Sequence, residues 1–307
     1  MNNAIQTYNL TCDFKSLRAV DRLTIEVQCG TIFGLLGPNG AGKTTTIRLL
    51  LGLLELTNGR AEVLGFDCRN QADEIRHRTG VLFEHSGLYE RLNAEENLNL
   101  FGRIWHLPRR ERLARMKELL VHFGLWDRRK EMVGTWSRGM KRKLAIARAL
   151  FHRPGLIFMD EPTAGLDPVA SALLREDLIN LAESEGATVF LTTHNLSEAE
   201  HICSQVGLIR DGKLLALGSP KNLHNKSVAL KVEFIGKGFS EKITKLLNKQ
   251  KNVVSVKANK NHLFVELNEN SEIAPLVSLV VKMGVQVEEI HKNKSSLEDV
   301  FLNLMGQ

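Results

Sequence analysis

The sequence has no long hydrophobic run and few cysteines, and each absence excludes a class of protein. The longest apolar stretches, such as LLLGLLEL from Leu49, fall well short of the ~20 residues that a membrane-spanning helix needs. The N-terminus lacks the charged start and apolar core of a signal peptide, so we expect the chain to stay inside the cell. The four cysteines form no C-x-x-C pair, which argues against a disulfide framework and against a zinc knuckle.

Arginine is absent from the last part of the chain. Residues 1–220 hold all 21 arginines, whereas residues 221–307 hold none and carry 13 lysines. This change of composition near Pro220 predicts two domains, 1–220 and 221–307. The formal net charge of +6 over 307 residues is modest, and it is not by itself a signal for binding to nucleic acid.

Short β-branched runs alternate with amphipathic stretches through residues 1–220, as in an α/β domain with a largely parallel sheet. Three of these runs predict buried central strands, at 31–37, 155–160 and 187–193. Between about residues 86 and 152 only helical periodicity remains. We therefore predict a helical subdomain inserted into the first domain.

After Pro220 the pattern changes to strand, helix, strand, strand, helix, strand, and then a last helix from Ser296. The first six segments are 228–235, 240–250, 253–258, 262–267, 271–284 and 285–290. This β-α-β-β-α-β order predicts a small α+β domain of the ferredoxin-like kind.

The stretch GPNGAGKTT, Gly37 to Thr45, is the strongest chemical signal. It matches the phosphate-loop pattern G-x-x-x-x-G-K-[ST] directly after a predicted strand and before a helical segment. The glycines let backbone N–H groups surround phosphates, Lys43 can reach the β- and γ-phosphates, and the Thr44 hydroxyl can bind Mg²⁺. The alternative is a glycine-rich turn without a ligand. The predicted nucleotide-binding residues of the loop are Gly37, Pro38, Asn39, Gly40, Ala41, Gly42, Lys43, Thr44 and Thr45.

Two acidic residues follow another predicted strand. In LIFMDEP, Asp160 and Glu161 come at the carboxyl end of the strand, where open α/β sheets bind ligands. We expect Asp160 in the metal shell and Glu161 to orient and polarise an attacking water. Adjacent acids also occur in ordinary solvated turns, but a nearby phosphate loop favours the catalytic interpretation. These features specify an NTPase without saying which kind.

Three further motifs, WSRGM, DEPTAGLD and LTTH, resemble the signature, the D-loop segment and the switch histidine of ATP-binding cassette (ABC) ATPases. The resemblance spans roughly residues 4–220. It implies that two cassettes pair head to tail, so that Ser137 and Gly139 of one cover the nucleotide held by the phosphate loop of the other. It also implies that Asp167 lies at the dimer interface and that His194 touches the γ-phosphate.

The same resemblance places Phe14 against the adenine base, where the family more usually has tyrosine; a plain core aromatic is the alternative. The usual Gly-Gly-Gln of the signature is here residues 138–140, Arg-Gly-Met. Glu84 stands where the family has a glutamine that contacts metal and water. We expect Glu84 to bind Mg²⁺ together with Thr44 and Asp160. Alternatively, Glu84 enters the site only when the permease couples, or faces solvent.

The lysine-rich tail, ending in SSLEDVFLNLMG, resembles the C-terminal domain of the ATPase subunits of bacterial drug, antibiotic and polymer exporters. That branch implies a subunit that uses ATP and Mg²⁺ and pairs with a second copy of itself or with a related cassette. It also implies a separate transmembrane permease and a place on the cytoplasmic face of the membrane. The sequence does not indicate which substrate is moved.

Two competing functions have little support in the sequence. A soluble cassette ATPase acting on ribosomes or DNA commonly carries two cassettes or a long coiled coil between the motifs, and neither pattern is present. A GTPase predicts N-K-x-D, and the Asn-Lys pairs all lack the aspartate. The histidines show no paired-ligand spacing, so we predict no metal site made by protein ligands alone.

Overall fold

The computed structural model describes residues 3–15, 17–226, 230–268, 271–293 and 297–305. The chain divides into two compact units, Met1–Ser219 and Pro220–Gln307. The domain boundary that we predict from composition lies between residues 220 and 221. Within the part of the chain that the structure describes, every helix is too short or too polar to span a bilayer.

The first unit mixes strands and helices along its length. Its strands are β1 (Asn3–Phe14), β2 (Leu17–Leu23), β3 (Glu26–Gln28), β4 (Ile32–Leu36), β5 (Asn58–Val63), β6 (Phe66–Asp67), β7 (Thr79–Leu82), β8 (Leu156–Asp160), β9 (Thr188–Thr193), β10 (Gln205–Arg210) and β11 (Lys213–Gly218). Its α-helices are α1 (Lys43–Leu50), α2 (Ala72–Arg78), α3 (Ala94–Ile104), α4 (Arg109–His122), α5 (Arg138–Leu150), α6 (Pro168–Glu183) and α7 (Leu196–Ile202). Short 3₁₀ turns lie at Trp126–Arg128 and Val133–Thr135.

A central sheet with strand order β11-β10-β4-β9-β8-β7 forms the middle of this unit. Its strands are parallel except for β11, which pairs antiparallel with β10 at the edge. Strands β4, β8 and β9 are buried along their whole length, because helices or the second sheet cover both faces. Because β4 and β8 run parallel, their carboxyl ends lie at the same edge of the sheet. This places the phosphate loop next to Asp160.

A second, antiparallel sheet in the first unit is not part of the fold that we predict from the sequence. It has the order β2-β1-β5-β6, and β3 also pairs with β1. Helix α1 contacts β2 and β5 of this sheet and β8 of the central one. Ile47 of α1 accordingly lies in one buried cluster with Leu10 and Val63 on one side and Phe158 on the other. The helix that follows the phosphate loop is thus held between two sheets.

Helices α3, α4 and α5 pack on one another and fill the region for which we predict a helical subdomain. Helix α3 begins at a capping box, in which Asn93 accepts from the Glu96 N–H and the Glu96 carboxylate accepts from the Asn93 N–H. Asn97 is fully buried. Its side-chain oxygen accepts from the Tyr89 N–H at 2.8 Å, and its side-chain N–H donates to the Tyr89 carbonyl oxygen at 3.0 Å. These two hydrogen bonds fix the loop between β7 and α3 at the end next to the helical subdomain.

The second unit contains one antiparallel sheet of order β13-β14-β12-β15. Its strands are β12 (Leu230–Lys237), β13 (Val253–Asn259), β14 (His262–Leu267) and β15 (Gln286–Asn293), and its helices are α8 (Pro220–Lys226), α9 (Glu241–Leu247), α10 (Ala274–Lys282) and α11 (Leu297–Met305). The succession from β12 to β15 has the β-α-β-β-α-β order. The ferredoxin-like assignment stays a prediction, which this strand order supports. Helix α8 is an addition to the predicted elements, and Ser296 lies outside the described residues.

Candidate active site

The phosphate loop connects β4 to α1 in a path that only glycine permits. Gly40 and Gly42 have φ of 80° and 102°, in the left-handed region that residues with a Cβ rarely adopt. A Cβ on Gly42 would lie 2.3 Å from the Ala19 carbonyl oxygen, and one on Gly37 would lie 2.1 Å from the Ile209 carbonyl oxygen. The close packing leaves the N-terminus of α1, with its free N–H groups, facing an open cleft.

Lys43, the first residue of α1, is 6% exposed although it carries a charge. Its Nζ donates to the carbonyl oxygens of Gly37, at 2.7 Å, and Pro38, at 3.1 Å. The same Nζ lies 3.3 Å from Glu161 Oε1. The loop thus folds around the Lys43 ammonium group, whose charge is balanced by the Glu161 carboxylate.

Asp160 closes β8 and is fixed by two hydroxyl groups. Thr44 Oγ1 donates to its Oδ2 at 2.7 Å, and Thr192 Oγ1 donates to its Oδ1 at 2.5 Å. The Thr44 hydroxyl and the Asp160 carboxylate are hard oxygen donors side by side at the edge of the cleft, so they fit Mg²⁺. Thr192 is a site residue that sequence reasoning missed; the only signal for it was a hydroxyl inside the apolar run that ends in LTTH.

Glu161 has a non-glycine backbone in the left-handed region, with φ of 50°, directly after the strand. Its N–H donates to the Thr192 carbonyl oxygen at 3.0 Å, which holds the turn. Oε2 lies 2.9 Å from Nδ1 of His194. Oε1 is buried; Lys43 Nζ lies beside it at 3.3 Å as an ion-pair partner, but among the residues that the structure describes no group donates a hydrogen bond to it. A buried oxygen of this kind calls for a donor, and a water molecule in the cleft would supply one.

The cleft over the phosphate loop gathers most of the predicted site residues. It is lined by Phe14, Leu17, Arg18, Ala19, Pro38–Thr45, Glu84, Asp160, Glu161 and Asp211. Phe14 ends β1 and is 44% exposed, so it is not a core aromatic. Glu84 follows β7 and borders the cleft as an exposed side chain. Leu17, the register partner of Phe14, and the charged Arg18 and Asp211 were not predicted, because no motif marks them.

Ser137, Gly139 and Asp167 are not among the described residues that line this cleft. Ser137 is exposed at the N-terminus of α5, where its Oγ accepts from the Met140 N–H at 3.3 Å. Asp167 caps α6 by accepting from the Ala170 N–H at 2.9 Å, and this hydrogen bond lowers the pKa of Asp167. The two helix starts therefore lie outside the cleft, and they adjoin one another on the surface, since a Cβ on Gly139 would lie 3.9 Å from the Gly165 carbonyl oxygen.

The loop that carries Asp167 is tied to the segment that follows His194. Thr163 Oγ1 donates to Glu198 Oε2 at 2.9 Å. Glu198 is 4% exposed, and burial raises its pKa. Asn195 caps the same short helix by accepting from the Glu198 N–H at 3.1 Å. These contacts fix the backbone on both sides of the His194–Glu161 pair.

This geometry has counterparts among known proteins. A family model described as ABC transporter matches residues 20–164. The bacitracin transport ATP-binding protein BcrA of Bacillus licheniformis is 36% identical over 309 residues, and the alignment covers 100% of this chain and 98% of that protein. The chain belongs to the ATP-binding subunits of ABC transporters. These matches confirm the family resemblance inferred from the motifs. As a member of this family, the cassette binds ATP and is an ABC-type ATPase.

Two further comparisons support the same assignment. The daunorubicin/doxorubicin resistance ATP-binding protein DrrA of Streptomyces peucetius is 33% identical, with 99% of this chain and 92% of that protein covered. The solved structure of MJ0796, described as a dimeric post-hydrolysis cassette bound to ADP and Pi, matches the cassette with a TM-score of 0.66 at 25% identity. That match covers 70% of this chain and 98% of the MJ0796 chain. Nothing in these comparisons favours a ribosome- or DNA-acting ATPase.

Proposed function

We propose that the cassette hydrolyses ATP to drive an exporter whose permease is a separate membrane protein, to which the cassette binds on the cytoplasmic face. A second copy of this chain, or a related cassette, completes each active site. One observation carries the proposal. Most of the predicted residues line the cleft, whereas Ser137, Gly139 and Asp167 lie on a surface outside it. A head-to-tail dimer would bring that surface over the partner's cleft. BcrA and DrrA match the chain over both its units, which supports the exporter branch.

In this proposal Phe14, Lys43 and Glu161 of the cleft have direct roles in ATP hydrolysis. Phe14 stacks on the adenine ring, and Lys43 leaves the Glu161 carboxylate to bind the β- and γ-phosphates. Once Lys43 has left it, Oε1 of Glu161 accepts a proton from the attacking water while His194 holds Oε2. Water oxygen bonds to the γ-phosphorus, the bond from phosphorus to the bridging oxygen breaks, and ADP leaves.

Thr44, Asp160 and Glu84 would hold the Mg²⁺ ion, which neutralises the phosphate charge when it is bound. The 2.7 Å hydrogen bond between Thr44 and Asp160 supports the first two of these ligands. Glu84 borders the same cleft, but among the described residues its carboxylate has no hydrogen bond to Thr44 or Asp160. A carboxylate near ATP repels the phosphates by about 4 kcal/mol at ~4 Å and an effective dielectric of ~20, so it needs the ion or another positive charge beside it.

Mixed dimers test whether the signature acts on the partner's nucleotide. A Ser137→Arg subunit and a Lys43→Ala subunit should each be inactive alone, since either change damages both sites of a homodimer. Combined with two affinity tags, they should regain ATP hydrolysis, because both lesions fall on one composite site and leave the other intact. Phosphate release by the doubly purified heterodimer is the measurement. A confirmed heterodimer without activity would mean that Ser137 acts within its own chain.

Replacing Glu84 by glutamine tests the metal role. We expect turnover within about tenfold of wild type at saturating Mg²⁺, but a shift in the Mg²⁺ concentration that gives half the maximal rate, because a charged ligand is lost. The measurement is an Mg²⁺ titration at fixed ATP. Glu90→Gln serves as the control, since Glu90 belongs to the same loop but pairs with Lys141 outside the cleft. Superimposable curves for Glu84→Gln and wild type would exclude Glu84 from the ion.

A further inference from the structure

Arg142, on helix α5, is a buried cation whose hydrogen bonds in the described residues all go to backbone carbonyl oxygens. It is 6% exposed, and within the described part of the chain none of its hydrogen bonds goes to a carboxylate. Its guanidinium donates instead to five carbonyl oxygens. These belong to Phe83 at 2.7 Å, Glu84 at 3.4 Å, Asp160 at 2.9 Å, Glu161 at 2.5 Å and Pro162 at 3.2 Å.

Those five carbonyls lie on two segments that are far apart in sequence. The first follows β7 and carries Glu84, and the second runs from Asp160, at the end of β8, through Glu161 and Pro162 in the turn after it. Glu161 holds a left-handed backbone there, a conformation that persists only where neighbouring contacts enforce it. A guanidinium is suited to the task, since it has five N–H donors in one rigid plane and stays charged at neutral pH.

Helix α5 also presents Ser137 at its N-terminus, about one and a half turns before Arg142. One side chain therefore connects the helix that faces the neighbouring cassette with both acidic segments of its own cleft. We propose that Arg142 is a positioning residue that sets the backbone of Glu161 and Glu84 from the signature helix. This inference rests on the proposed function, in which Glu161 activates water and Ser137 binds the partner's nucleotide.

A second arginine on the same helix supplies a matched control. Arg148 is also largely buried, and burial lowers its pKa to about 10. It donates to the carbonyl oxygens of Val81 and Gly87, both at 3.0 Å, and so holds the Glu84 loop on either side. Among its contacts in the described residues there is none to the segment from Asp160 to Pro162. Loss of Arg148 should therefore weaken the fold without displacing Glu161.

The test compares Arg142→Gln with Arg148→Gln in the full chain, by ATP turnover, by KM for ATP and by thermal melting. Wild-type hydrolysis is measured first; a wild-type protein without ATPase activity would defeat the proposed function and not this role. We expect Arg142→Gln to lower kcat by about tenfold or more with KM changed less than about threefold, because a misplaced catalytic group costs rate more than binding. Arg148→Gln should lower the melting temperature at least as much and keep kcat within about threefold.

Two further variants keep the test decisive if Arg142→Gln folds poorly. Arg142→Lys keeps the charge but cannot span both segments, so its kcat should stay well below wild type. In Arg142→Ala, guanidinium ion at low millimolar concentration should restore part of the lost turnover, whereas Arg148→Ala should not respond. A kcat near wild type in folded Arg142→Gln or Arg142→Lys would overturn the proposal. The proposal would also be overturned if kcat fell in the Arg142 and Arg148 variants alike, in each case only in proportion to the loss of thermal stability.

Discussion

Replacing Glu161 with glutamine should slow ATP hydrolysis by roughly 10²–10⁴-fold and leave ATP binding intact. The change removes the proton acceptor at Oε1, which is buried and forms an ion pair with Lys43 Nζ at 3.3 Å. The contact to His194 can persist through the amide, so the turn after β8 should keep its shape. Because the γ-phosphate is then not cleaved, ATP and Mg²⁺ should trap the closed head-to-tail dimer.

Phosphate release and gel filtration with ATP and Mg²⁺ together check this expectation. The control is Glu183→Gln, an equal loss of charge at an exposed position on α6. It should turn over at the wild-type rate and elute as wild type does. A Glu161→Gln protein that binds ATP yet remains monomeric would remove the support for head-to-tail pairing. Turnover close to wild type would show that another group takes the proton.

Replacing Lys43 with alanine should abolish measurable ATPase activity. The change deletes the point charge that would bind the β- and γ-phosphates, and electrostatic groups of this kind commonly contribute ~10²–10³ in rate. It also removes the donor to the carbonyl oxygens of Gly37 and Pro38, which hold the loop in its present shape. The Glu161 carboxylate loses its ion-pair partner as well, so both the binding and the catalytic sides of the cleft are affected.

Hydrolysis and nucleotide binding should both fall for Lys43→Ala, and circular dichroism should show an intact fold because α1 stays packed between the two sheets. Lys141→Ala is the matched control. Lys141 pairs with Glu90 at 2.7 Å and does not line the cleft in the described residues, so its loss should leave turnover nearly unchanged. Near-normal hydrolysis by folded Lys43→Ala would place the nucleotide elsewhere.

The local chemistry of the site was predictable because it lies in contiguous motifs. The phosphate loop is a run of nine residues from Gly37 to Thr45, and its glycines, lysine and threonine act through backbone geometry that the run itself determines. Asp160 and Glu161 follow a run of buried apolar residues, and such a run indicates a central strand without knowledge of its neighbours. The loss of arginine after residue 210 likewise predicts a change of domain near Pro220, where the chain divides into two compact units.

The contacts between those motifs depended on the fold. The antiparallel sheet of β1 and β5 forms by pairing Ile5 with Val63, and pairing between segments so far apart leaves no local pattern. Thr192 reaches Asp160 only because β8 and β9 are neighbours in the central sheet.

By itself the sequence determined which residue types stand in the phosphate loop, at the end of β8 and at the start of α5, and so the class of reaction. Only the tertiary structure decided that Ser137 lies apart from its own cleft and that Arg142 joins Glu84 to Glu161. The role of Arg142 could not be predicted because its hydrogen-bond acceptors are backbone carbonyl oxygens. Every residue has a backbone carbonyl, so a hydrogen bond to one places no demand on residue type and leaves no trace in the sequence.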